Sequence, residues 1–287
     1  MENKLKIVLI VATTSGKVIY DYFIRNKFVD VLQVFTFPDD KNVPRHVVFP
    51  DLKNIIKTEK VNDFSDLILS LNPDYIFVEG WSELFSSEIL ECPKLGIIGF
   101  HPSELPNDRG RSVLAWQIED NYSQSAVSMF YYNDFPDGGD IIGQEYFKIE
   151  HNDYINDILN KLDYCIYSLI RSYFPLLRKG IAPRKKQNIN EGNFRRLRTS
   201  KDSLINWNEN SENIYNKIRA ISKPYPLAIA KINKEYFNVE KSEIINNLPF
   251  GQELPPGELV AKLHDNSLII RTRNSFIRLI GLTKIIK

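Results

Sequence analysis

Lys6-Ile7-Val8-Leu9-Ile10-Val11-Ala12 is the stretch from which the fold is read. After the lysine it is unbroken aliphatic side chain with no polar alternation. A strand of that kind has no face for water and belongs inside a parallel sheet covered on both sides. VLQVFTF (31–37), YIFVEG (75–80) and GIIGF (96–100) repeat the pattern, and helical periodicity occupies about 16–26, 63–71, 83–91 and 112–121 between and after them. Strands alternating with helices predict an α/β fold: a doubly wound, mostly parallel, Rossmann-like sheet with its ligands at the carboxyl ends of the strands. Two further runs, AVSMFYYN (126–133) and IIGQEYFKI (141–149), flank the turn-rich FPDGGD (135–140). An amphipathic helical pattern over 153–178 stops at Lys179-Gly180.

This organisation predicts a catalytic-size domain over residues 1–182, a basic and aperiodic linker over 183–200, and a second domain over 201–287. The second domain opens with a helix near 210–221. Short runs between Asn, Gly and Pro turns follow (LAIAKI, GELVAKLH, SLIIRTR, SFIRLIGL), which predict a smaller β-rich, OB-like unit. The chain has 287 residues, enough for one large or two modest domains. No apolar run approaches the roughly 18 residues of a membrane span, and the N-terminal run is too short for a signal peptide, so a cytoplasmic protein is expected. Cys92 and Cys165 lie outside any CxxC or Cys/His spacing and read as free thiols, with no metal site. Lys plus Arg number 37 against 36 Asp plus Glu, a net charge of +1. That balance argues against a chain whose main work is coating nucleic acid, which needs surplus cations to neutralise phosphates.

Three strand ends could carry chemistry. His101 ends the GIIGF strand and enters a loop stiffened by Pro102 and Pro106, with Arg109-Gly110-Arg111 beyond. An imidazole there can take or give a proton near neutrality, or simply cap the strand. Asp137 lies in a turn where Gly138 and Gly139 permit a close backbone approach. Its carboxylate could face the imidazole, although Asp140 competes for the role. Trp81, in Glu79-Gly80-Trp81-Ser82, could bind a flat heterocycle or pack into the core.

The segment HPSELPNDRG (101–110) resembles the HPSxLPxxRG signature of the folate-dependent formyltransferases, and PDGGDI (136–141) resembles that family's DxGxI element. KDSLINW and IYNKIRAISKPYP, in 201–226, are similar to the entry to the C-terminal domain shared by methionyl-tRNA formyltransferase and the nucleotide-sugar N-formyltransferases. The resemblance implies transfer of a formyl group from N10-formyltetrahydrofolate to an amine. His101 would act as general base, or as an imidazolium stabilising the oxyanion, with Asp137 orienting it. It also implies a pterin near Trp81, Ser82, Glu83, Leu84, Asn133 and Asp134, and a homodimer formed through the C-terminal domain. The family commonly has Asn two residues before the histidine, and here that position is Gly99. A backbone N–H near His101, Ser112, Asn133 or water would then serve the oxyanion.

A nucleotide-linked amino sugar for surface glycan biosynthesis is the expected acceptor, because its two phosphates need few cations. Ser103, Arg109, Arg111, Arg195 and Arg196 are the candidates to hold it, the arginines also reading as solvated loop charge. Initiator methionyl-tRNA is the rival acceptor. A folate- or nucleotide-binding protein without turnover, or a hydrolase releasing formate, are the rival activities.

Overall fold

The computed structural model describes residues 4–50 and 52–286. Its first unit gathers the described residues of 4–110, 125–147 and 160–194 around a seven-stranded sheet. In chain order its elements begin β1 (Leu5–Val11), α1 (Thr14–Ile24), β2 (Val29–Thr36), β3 (Ile55–Lys57), α2 (Ser65–Leu71), β4 (Tyr75–Glu79), α3 (Ser87–Glu91) and β5 (Gly96–His101). The sheet order is β3-β2-β1-β4-β5-β7-β8, where β7 is Gln124–Tyr131 and β8 is Ile141–Lys148; between β5 and β7 come β6 (Arg109–Gly110) and α4 (Val113–Glu119). β1 pairs in parallel with both β2 and β4, β4 with β5 and β2 with β3, whereas β5 and β7 run antiparallel.

Both faces of the sheet are covered, as the unbroken apolar runs require. Val8, Ile10, Ile76, Val78 and Ile97 lie in one buried cluster with Ile68 of α2 and Ile89 of α3. On β4, Phe77 alternates with those residues and meets Phe23 of α1 at 4.5 Å between ring centroids. Phe23 in turn packs edge-on against Phe174 of the 24-residue α5 (Ile155–Arg178). Burying such side chains on both faces contributes roughly 1.5–3 kcal/mol each, so the central strands anchor the loops at their ends.

Two expectations change. The first is the helix expected over 83–91, which narrows to Ser87–Glu91 because the Ser86 hydroxyl caps it by accepting from the Ile89 N–H. Residues 81–86 are left as a loop. The second is the division into 1–182, a linker over 183–200, and 201–287. Residues 160–194 belong to the first unit, where Lys185 exchanges backbone hydrogen bonds with Ile141 and Gln187 grips the 137–139 turn, whereas 111–124 and 148–159 belong to the second. Polar side chains that read as solvated linker are instead used as internal hydrogen-bond partners.

The second unit comprises 111–124, 148–159 and 195–286. After β9 (Phe194–Arg195), helix α6 (Ser211–Ala220) packs on α4, and β10 (Ala228–Ile232) through β16 (Thr283–Lys284) follow. The intervening strands are β11 (Glu235–Val239), β12 (Lys241–Ile245), β13 (Leu259–Lys262), β14 (Leu268–Arg271) and β15 (Phe276–Ile280). They form two antiparallel sheets, ordered β10-β11-β16 and β12-β15-β14-β13. The unit is β-rich as expected, with β11 and β12 additional to the runs legible in the sequence.

Candidate active site

His101 ends β5 with its side chain nearly buried, in register with Ser128 of β7. Its Nε2 lies 2.8 Å from the Asp108 carbonyl oxygen. A carbonyl only accepts, so Nε2 carries the proton and donates, which leaves Nδ1 as the nitrogen open to proton exchange in the neutral ring. Nδ1 stands 3.6 Å from Oδ1 of Asp137. That is an ion-pair distance rather than a hydrogen bond.

Asp137 is aimed by its turn. Asn133 Oδ1 accepts from the Phe135 N–H, Phe135 O accepts from the Gly138 N–H, and Asp137 itself takes φ +55°. The turn presses so closely on β7 that a Cβ at Gly139 would lie 1.7 Å from the Tyr131 carbonyl oxygen. From behind, Gln187 Nε2 donates to the carbonyls of Asp137 and Gly139 at 2.9 and 2.7 Å. The second carboxylate oxygen, Oδ2, accepts from the Gly110 N–H at 2.8 Å. One oxygen is therefore fixed and the other faces the imidazole. Asp140 is not the partner of His101. The tautomer is set by the Asp108 carbonyl, which sequence patterning cannot reveal, and Asp137 supplies charge. A proton accepted at Nδ1 would create an imidazolium facing that carboxylate.

The neighbouring strand end carries Glu79, whose Oε2 accepts from the Thr13 hydroxyl at 2.7 Å. Burial, partly opposed by that hydrogen bond, pushes its carboxyl up to about 7. Beyond it the Trp81 ring stacks on Phe37 at 4.3 Å, packs against the core cluster, and donates from Nε1 to Glu83. Glu83 also accepts from the backbone and side-chain amides of Asn62 and from the Val61 N–H, so its carboxylate is engaged within the protein. Ser82 is exposed, and Leu84 keeps 73% of its surface open. Asn133 and Asp134 are exposed on the 133–137 turn. Leu84 thus exposes apolar surface on this loop, while the Trp81 ring and the Glu83 carboxylate are engaged within the protein.

Two expected acceptor ligands are corrected. Ser103 is wholly buried; its hydroxyl donates to Asn107 O at 2.6 Å and its carbonyl accepts from Ser128, leaving nothing for a substrate. Arg109 is 1% exposed, donates to Glu191 O, Gln187 Oε1 and Asn188 O, and lies between the Phe135 and Phe194 rings. It locks the 187–191 segment and does not reach out to a phosphate. Arg111, Arg195 and Arg196 belong to the second unit. Arg111 is exposed, whereas Arg195 pairs with Asp120 at 2.7 Å and Arg196 with Asp202 at 2.5 Å.

Comparison with known proteins gives the same assignment along the chain. The formyl transferase family model matches residues 5–167, and that family's C-terminal domain model matches residues 198–285. A methionyl-tRNA formyltransferase of Mycoplasma capricolum is 25% identical over 99% of this chain and 92% of its own. Among solved structures, HypX from Aquifex aeolicus in complex with tetrahydrofolic acid superposes with a TM-score of 0.73 at 14% identity, over 99% of this chain. This chain spans only 45% of HypX. An N-formyltransferase from Helicobacter canadensis, in complex with folinic acid and dTDP-3-aminofucose, superposes with a TM-score of 0.70 at 21% identity over 97% of this chain and 100% of its own.

Proposed function

Because the chain belongs to the formyl transferase family, we propose that it moves a formyl group from N10-formyltetrahydrofolate to the amine of a nucleotide-linked amino sugar for surface glycan biosynthesis. The folate ligands named for HypX and the Helicobacter protein support the donor. The choice of acceptor rests on the state of the arginines at 195, 196 and 198, which with Arg184, Lys185 and Lys186 make up the notable basic cluster among the described residues. Arg195, Arg196 and Arg198 are each held by a carboxylate of their own unit, from Asp120, Asp202 and Glu119, and Lys217 shares Glu119. Arginines neutralised this way are poor phosphate ligands, and tRNA binding needs many free ones. An amino sugar carried on a diphosphate asks for fewer. A homodimer formed through the second unit is part of the same proposal.

As co-substrate, the folate brings an activated formyl carbon on N10. The acceptor amine attacks that carbon, the C–N10 bond breaks, and one amine proton must reach N10 of the departing folate. His101 takes that proton at Nδ1, since Nε2 is committed to Asp108. Asp137 stabilises the imidazolium at 3.6 Å, and the ring then returns the proton to N10. Holding the amine and the formyl carbon together supplies much of the remaining acceleration.

The test is a panel of amino-sugar nucleotides incubated with N10-formyltetrahydrofolate and read by mass for the gain of one formyl group. Formylation of a sugar nucleotide, saturable at physiological salt, is expected. The names of the curated relatives favour a second reading, methionyl-tRNA as acceptor. Saturable formylation of charged initiator tRNA, with affinity falling steeply as salt rises, would establish it in place of the first.

A further inference from the structure

The position two residues before His101 is glycine, yet the space there is filled. Side chains alternate along a strand, so residue 99 and His101 share one face of β5. A Cβ built on Gly99 would lie 2.1 Å from Cε1 and 2.9 Å from Cζ of Tyr132. The Cε1 edge of the ring, next to the Cζ that carries the phenol oxygen, occupies the volume a side chain at 99 would take. Any residue larger than glycine at 99 excludes this placement of Tyr132.

The ring is held in place. The Tyr132 N–H donates to Ile97 O at 2.9 Å, and the ring stacks against Phe130 at 5.3 Å and Phe85 at 6.0 Å. Among the described residues, no protein group pairs with its hydroxyl. Nearby polar side chains are engaged: Ser103 and Ser128 donate to carbonyls, and Asn133 Oδ1 caps its own turn. Ser112 belongs to the second unit, where its hydroxyl accepts from the Arg198 N–H.

We propose that Tyr132 is a catalytic residue, its phenol O–H donating a hydrogen bond to the oxyanion that develops on the formyl oxygen when the amine attacks. The inference rests on the formyl-transfer reading of the His101–Asp137 site. A preset donor in a site that excludes water stabilises that charge without reorganising, and loss of one such donor typically lowers turnover by about 10²–10³-fold. The phenol acts as donor because burial, with the Asp137 and Glu79 charges adding to it, holds the proton on the oxygen. Gly99 and Tyr132 thus form a single device, in which the glycine makes room for the hydroxyl-bearing ring of the residue that follows β7.

The experiment measures kcat and KM for formyl transfer in the wild type, Tyr132→Phe, Tyr132→Ala and Gly99→Asn/Tyr132→Ala. Tyr132→Phe keeps the stacking and removes only the oxygen. The expected result is a loss in kcat of about a hundredfold with KM for the formyl donor changed less than about threefold. A purely packing role would leave kcat in this variant within twofold, and that result overturns the proposal while formyl transfer stands. The double variant vacates the ring's space and supplies an amide from residue 99. Recovery of turnover at least about tenfold above Tyr132→Ala supports the assignment and does not depend on the phenylalanine variant folding; absence of recovery counts against it. If wild-type protein transfers no formyl group to any amine and releases no formate, the reading of the whole site is lost, and this inference with it.

Discussion

The 3.6 Å between His101 Nδ1 and Asp137 Oδ1 is too long for a hydrogen bond, so the pair works through charge. His101→Ala and Asp137→Ala are each expected to lower kcat by at least about a hundredfold with the denaturation midpoint little changed. A variant with near-normal kcat on the true acceptor would remove that residue from the chemistry. Arg109 predicts the opposite behaviour. Replacing it with Met removes the donors that hold the Glu191 and Asn188 carbonyls and Gln187 Oε1, at a cost of about 1–3 kcal/mol in urea unfolding. A raised KM for the acceptor with stability intact would instead restore Arg109 as a substrate ligand. His101 and Arg109 were both visible in the HPSELPNDRG run, but their difference was not. Whether a cation at a strand end meets solvent or is walled in depends on Phe135, Gln187 and Phe194, far away in sequence.

At the scale of elements, the proposed catalysis depends on a turn pressed against a strand. Gly139 leaves no room for a methyl group beside the Tyr131 carbonyl. Gly139→Ala is therefore expected to lower stability by about 2 kcal/mol or more and kcat by at least about tenfold, because Asp137 is carried out of line with His101. Unaltered kcat together with an unaltered melting transition would show that the turn is less constrained than its geometry indicates. The buried strands and the two-glycine turn were legible because apolar runs and glycine clusters are local signals. The segment 183–194 was not legible, because a polar aperiodic sequence looks the same whether water or the protein satisfies its hydrogen bonds. Gln187, Asn188 and Glu191 satisfy theirs against Arg109 and the 137–139 turn.

For the molecule as a whole, Glu79 couples folding to pH. Its carboxyl is raised from 4.5 to about 7 in the native state. Between those values the native protein binds more protons than the unfolded chain, so this group makes stability fall as pH rises through that window. Comparing urea unfolding at pH 5 and pH 8, Glu79→Gln should gain on the wild type by about 2 kcal/mol at the higher pH. Parallel pH profiles for the two proteins would refute the role of this buried acid. No helix among the described residues is long and apolar enough to cross a membrane.

The amino-acid sequence by itself determined the parallel-sheet architecture, the β-rich second unit, and the candidacy of His101 and Asp137, because strand burial, turn chemistry and a strand-end histidine are written in short windows. Tertiary structure alone decided which imidazole nitrogen is open, that Ser103 and Arg109 are interior, that the arginines at 195, 196 and 198 are paired, and that Tyr132 fills the place beside Gly99. Each of these depends on a partner more than five residues away in the chain. Hydrogen bonding and ion pairing are satisfied in space, and a linear pattern records which groups are available without recording which of them meet.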